Sequence, residues 1–159
     1  MKPEDLIVTA RHLAMRGGGR KPRQADLRRA QSTACYACFH ALCRLCADMM
    51  IGKTGAERSG EAWRQAYRAV DHGFVKKLFS GEQKPKILGQ FPAELQDFAN
   101  AFVALQKKRH DADHDPDARF KRSEVLSDID AADFVIKRIG AVSLRDRRAF
   151  AAWVVFKSR

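Results

Sequence analysis

The chain has 159 residues, 45% of them hydrophobic and 31% charged, which suits one ordinary domain with a core and argues against general disorder. Thirty Lys and Arg against nineteen Asp and Glu leave a formal charge of +11, which draws polyanions by long-range attraction and counterion release: RNA or DNA first, an acidic protein partner equally well. No run of about 18 apolar residues is present, which excludes a membrane helix, and the polar start Met1-Lys2-Pro3-Glu4-Asp5 lacks the basic and apolar regions of a signal peptide, so the expected location is the cytoplasm.

The first predicted helix runs from Pro3 to about Arg16. Pro3 suits a first turn, Glu4 and Asp5 complement the helix dipole there, and Leu6, Ala10, Leu13 and Ala14 form an apolar stripe. Gly17-Gly18-Gly19 ends it. The glycine-rich basic loop from Arg16 to Arg23 follows no strand and lacks the Lys-Ser/Thr ending of a phosphate cradle, so a mobile basic linker is expected.

The second helix is predicted from about Gln24 to Met50. Between Ala34 and Met50 it is apolar on most of its circumference, which places it at the centre of a bundle. Cys35, Cys38, Cys43 and Cys46 form two C-x2-C pairs on it. At about 100° per residue all four fall within an arc of about 140°, and the outer two stand about three turns apart. A tetrahedral metal site needs four sulfurs around one ion, which a straight helix does not supply, so small buried thiols are expected. Gly52 ends this helix. Ile51-Gly52-Lys53-Thr54-Gly55 resembles the tail of a P-loop but lacks its first glycine and a preceding strand.

A third helix is predicted from about Gly60 to Phe79, with Trp63, Tyr67, Val70, Phe74 and Leu78 in its core-facing stripe. Ser80 to Pro92 reads as a loop. A fourth helix follows from Pro92 to about His110, with Leu95, Phe98, Phe102 and Leu105 inward, and Asp115-Pro116 breaks the pattern. The fifth extends from about Ser123, as N-cap, to Gly140, with Leu126, Ile129, Ala132, Phe134, Val135 and Ile139 as its stripe. A short last helix spans Arg145 to Phe156. No strand pattern, repeat or second domain is evident. The expected fold is all-α, a single domain of five or six helices over residues 1–159.

Two groups of residues carry chemistry. Ser32, Tyr36 and His40 stand at i, i+4 and i+8 along one flank of the long helix. They suit either buried polar groups satisfied by a neighbouring helix or a polar groove at a dimer seam. Arg109 and His114 form an R-x4-H pair with His110 between them. An arginine fork matches phosphate oxygens and an imidazole gives or takes a proton near neutral pH. Together they suit metal-independent phosphodiester cleavage, with RNA as the natural substrate because its 2′-hydroxyl lies beside the phosphate. Five residues along a regular helix turn through about 140°. The pair therefore needs the last turn to unwind at Asp115-Pro116, or a second subunit. Asp111, Asp113 and Asp115 surround His114, and Asp113 is placed to orient its ring; equally, they suit ordinary helix-end acids.

Leu27-Arg28-Arg29-Ala30-Gln31-Ser32-Thr33-Ala34-Cys35-Tyr36-Ala37-Cys38-Phe39-His40 resembles the "RRAxSxAYYAxFH" helix of bacterial HEPN-domain proteins. Arg109-His110-Asp111-Ala112-Asp113-His114-Asp115-Pro116 is similar to their "RxxADYDP" segment, and Trp63, Tyr67 and His72 fit the helix between. The resemblance covers about residues 1–140, leaving 141–159 as a C-terminal helix. It implies a helical bundle that forms a homodimer. Many members of the family are ribonucleases needing no metal or other cofactor, with R-x4-6-H motifs composing one site across the dimer. Such members act as toxins or in phage defence, commonly beside a nucleotidyltransferase-like antitoxin. Other members are non-catalytic modules for RNA, a nucleotide or a protein partner. Cys35 stands where the first Tyr of the motif is usual. His114 stands where the second motif has Tyr, and so creates an R-x4-H that the Tyr form lacks. It is either a catalytic histidine or one hydrogen-bonding ring exchanged for another. The expectation is an endoribonuclease in which Arg109 binds phosphate and His114 moves the proton, supported by Asp113, Ser32, Tyr36, His40 and His110; the alternative is an accessory binding module.

Overall fold

A long helix with few polar faces has to be surrounded, and the rest of the chain does so. The computed structural model describes residues 1–55 and 57–157, in which eight helices occur: α1 (Pro3–Met15), α2 (Gln24–Met50), α3 (Gly60–Arg68), α4 (His72–Ser80), α5 (Lys84–Leu88), α6 (Ala93–His114), α7 (Arg122–Ile139) and α8 (Leu144–Val155). No strand occurs among the described residues. Helices α1, α3, α6, α7 and α8 all pack on α2. Ala30, Ala34, Ala37 and Ala41 are buried along it, together with all four cysteines, and these small side chains let the neighbouring helices approach closely. Burial pushes the Cys35 and Cys43 thiols up to about 12 and raises Cys38 and Cys46 as well.

Larger side chains fill the space where α4, α6 and α8 meet. Phe79 stacks on Phe150 with ring centroids 5.5 Å apart and meets Phe102 edge-on at 5.7 Å. Phe98, Leu42 and Ile129 are likewise fully buried. Such aromatic packing adds about 0.5–1.5 kcal/mol per pair beyond the area it removes from water.

The all-α class expected from the sequence holds, with more helices than the five or six expected. The predicted third helix is two. Residue Asp71 turns extended, and its carboxylate accepts a hydrogen bond from the Phe74 N–H at 2.6 Å, which caps α4 afresh. Of the expected stripe Val70 and Leu78 are buried, whereas Trp63, Tyr67 and Phe74 are half-buried and Val75 takes the core position beside Phe74. The loop predicted over Ser80 to Pro92 contains α5, held by buried Ile87 and Leu88. The fourth helix runs four residues past His110, to His114. Ser123 is not an N-cap: α7 begins at Arg122, after Lys121. Phe134 does not face the core but lies exposed under the Arg138 guanidinium, 5.1 Å from its ring centroid. Ser158 and Arg159, in the expected C-terminal segment, lie outside the described residues.

The glycine-rich loop is tied down where a mobile linker was expected. Gly17 and Gly18 take φ of 88° and 56°, backbone that L side chains rarely adopt. The turn they make presents carbonyls to Arg122, which donates to Ala14, Arg16, Gly18 and Arg20 at 2.6–3.4 Å. Beside it, the Gln24 side-chain amide exchanges two hydrogen bonds of 2.9 Å with the Phe120 backbone. Arg122 thus clamps the end of α1 and the loop after it to the first turn of α7, and Gln24 clamps the start of α2 to the segment between α6 and α7.

Candidate functional site

Spacing of four residues keeps Arg28, Ser32, Tyr36 and His40 on one flank of α2, and α6 packs along that flank. The Ser32 hydroxyl, which is buried, donates to Asp113 Oδ1 at 2.5 Å. The other carboxylate oxygen accepts from Arg109 Nε at 3.1 Å. The Arg109 guanidinium then lies over the Tyr36 ring, 4.7 Å from its centroid. Four of the expected site residues, Ser32, Tyr36, Arg109 and Asp113, therefore form one connected group. Arg109 and Asp113 keep 24% and 28% of their side-chain surfaces exposed, so the group sits at the rim of the α2–α6 seam.

One turn further along α2, the His40 ring stacks between Tyr36 at 6.3 Å and Tyr67 of α3 at 6.0 Å. His40 Nδ1 and the Tyr67 hydroxyl share a hydrogen bond of 2.5 Å. Burial pushes the Tyr67 hydroxyl up to about 12 and lowers His40. Near neutral pH the phenol therefore keeps its proton and donates it to Nδ1 of a neutral imidazole. The row continues through Trp63, 5.2 Å from Tyr67, whose indole N–H donates to Asp48 at 2.9 Å.

His110 and His114 form a second group. Both are exposed on the last turns of α6, with ring centroids 4.9 Å apart. The last turn does not unwind: the Asp115 N–H still donates to the Asp111 carbonyl at 3.1 Å. Arg109 and His114 consequently project about 140° apart, as a regular helix requires. Asp113 does not orient His114, because its carboxylate is engaged by Ser32 and Arg109. Asp115 instead accepts the Asp117 N–H at 2.9 Å and forms the turn that follows.

Arg28, which is not among the expected site residues, fastens this group from α2. Its guanidinium donates to the carbonyls of Ala112, Pro116 and Ala118 at 3.0, 3.1 and 2.7 Å, which fixes the end of α6 and thereby the segment bearing Asp113 and His114. Its position four residues before Ser32, in the same row, was the available signal. His72 is also not among the expected site residues. It packs edge-on against Phe39 and Phe102, pairs with the Gln106 amide at 3.1 Å, and is lowered by burial and then by the Arg109 charge.

Among the described residues, no group of three or more His, Cys, Asp or Glu is arranged to hold a metal ion, and no helix is long and apolar enough to cross a membrane. No family model, curated protein or solved structure matches this chain.

Proposed function

We propose that this chain is a metal-independent endoribonuclease of HEPN type that works as a homodimer. The observation that carries the reading is the exposed His110–His114 pair on the same helix end as a guanidinium held at the rim of the α2–α6 seam. Arg109 binds the scissile phosphate and stabilises the charge that grows on it. His114 takes the proton from the 2′-hydroxyl as its oxygen attacks phosphorus. The bond from phosphorus to the 5′-oxygen breaks, and that oxygen leaves with a proton from a second imidazole, leaving a 2′,3′-cyclic phosphate. Because Arg109 and His114 diverge within one chain, this reading gives the two roles to two subunits. A toxin or phage-defence setting, with a nucleotidyltransferase-like antitoxin, belongs to this reading.

The test is cleavage of RNA by the purified protein in chelator, set beside His114→Ala. Cleavage that is lost in the variant supports the mechanism. Equal cleavage by both proteins, or none by the wild type, overturns it.

One observation favours a second reading. Arg109 is already paired with Asp113 and packed on Tyr36 within one chain, as a structural arginine in a non-catalytic RNA- or protein-binding module would be. That module would bind RNA with a steep salt dependence and leave it intact.

A further inference from the structure

A cleft of about 450 Å³ opens on another side of α2, about 140° around that helix from Tyr36. It lies between the start of α1, the second half of α2 and the ends of α7 and α8 that meet there. Leu45, Ile136 and Ile139 give it an apolar floor, and Arg44, Lys53 and Arg147 stand in its wall. The volume is that of ordinary small-ligand sites, which pair an apolar lining with a few convergent polar groups.

The cations in this cleft are short of partners. Arg147 is half-buried, its Nε is fully buried without an acceptor, and its guanidinium makes no hydrogen bond or ion pair among the described residues. Buried donors in native proteins nearly always have an acceptor, so this one marks where an acceptor belongs. Lys53 also has no ion-pair partner among the described residues, and Arg44 reaches only Asp48, at 3.9 Å. Two acids line the cleft as well. Asp48 is already engaged by Trp63 and Arg58, and Glu4 is exposed on the first turn of α1. With Arg58 neutralising Asp48, the three cations of the cleft face only Glu4, and the net of two positive charges suits a dianion better than a single carboxylate.

We infer that this cleft is a binding site for a phosphate monoester carrying an apolar body, with the phosphate on Arg147, Arg44 and Lys53 and the body on the Leu45–Ile136–Ile139 floor. Guanidinium groups match phosphate oxygens in pairs. The floor adds affinity in proportion to the apolar surface it covers. None of Arg147, Arg44, Lys53, Leu45, Ile136 and Ile139 belongs to the α2–α6 seam, although Asp48 ties the cleft wall to the Trp63 end of the aromatic row, and the proposal holds whether or not the chain cleaves RNA.

Isothermal titration of the full chain in a phosphate-free buffer tests this with phenyl phosphate as the probe. The expected result is one saturable site per chain, at least tenfold tighter than for inorganic phosphate and tighter than for benzoate. Arg147→Gln is expected to weaken phenyl phosphate tenfold or more. Lys53→Gln, a change at an exposed position after α2 that leaves the fold intact, is expected to weaken it severalfold. Absence of saturable binding to the wild type overturns the proposal. So does unchanged binding in both variants, which places the anion elsewhere, or benzoate binding as tightly as phenyl phosphate, which removes the phosphate.

Discussion

Arg28 fastens the end of α6 with three hydrogen bonds, and Arg28→Met removes them while keeping the aliphatic stem. Hydrogen bonds from a charged donor contribute about 1.5–3 kcal/mol each when buried. Here the Pro116 carbonyl is exposed and recovers water, whereas the Ala112 and Ala118 carbonyls are half-buried. The expected loss is therefore about 2–3 kcal/mol rather than the full sum, and a chain of this size converts that to about 5–10 °C in Tm. Arg29→Met is the matched control. It is the same substitution one residue along, at an exposed side chain without a hydrogen bond among the described residues, and is expected to stay within about 0.5 kcal/mol. Urea unfolding of both variants gives the free energies. Hydrogen exchange should show lost protection confined to residues 112–120 in Arg28→Met. A loss under about 0.5 kcal/mol, or equal losses in the two variants, would refute the assignment of Arg28 as the clamp.

Burial gives three further expectations. All four thiols should resist a disulfide reagent in the native protein and react together on unfolding, because each is fully buried and burial raises each one; prompt native-state reaction of any one would contradict this. Stability should fall as pH drops from about 7 through the ordinary histidine range near 6.5. His40 and His72 are both lowered by burial, so the unfolded chain takes up protons there that the folded chain refuses. Denaturant unfolding at successive pH values should lose part of this slope in His40→Gln, whereas the depressed acids Asp71 and Asp133 act only in the carboxylate range below it. Gln31→Met should stabilise the chain by about 1–3 kcal/mol. Gln31 is fully buried with neither amide atom hydrogen-bonded among the described residues, and the thioether fills a similar space; a lower urea midpoint would contradict this.

What the sequence reveals most clearly is α2. Its apolar circumference, its glycine stop and its four-residue polar row are all local properties, and its bounds match the expected ones, Gln24 and Met50. The helix break at Val70-Asp71 is harder to see because the apolar stripe runs through it without a change of phase; only the capping geometry of Asp71 records it. The clamps by Arg28 and Arg122 join residues 84 to 108 positions apart, so no spacing rule reaches them. In the candidate site, the flank of Ser32, Tyr36 and His40 follows from periodicity alone. Which partner Asp113 takes does not, since His114 is its neighbour in sequence and Ser32 its neighbour in space.

Asp113 also decides how the charge of Arg109 can be used. A phosphate that approaches Arg109 competes with a carboxylate already bonded to Nε. Asp113→Asn removes that competitor's charge while its amide oxygen still accepts from the Ser32 hydroxyl. If Arg109 serves phosphate, the variant should bind single-stranded RNA more tightly, and its dependence of log K on log salt should steepen by about 0.7, the increment for one more phosphate neutralised on a single strand. If Arg109 is purely structural, losing the ion pair should cost stability and leave the salt slope alone. Fluorescence anisotropy with labelled RNA at several salt concentrations separates these outcomes. Arg109→Gln in the same series shows whether the added slope resides on that guanidinium. A double variant that keeps the steeper slope would place the new phosphate contact elsewhere, and would remove Arg109 from the proposed chemistry.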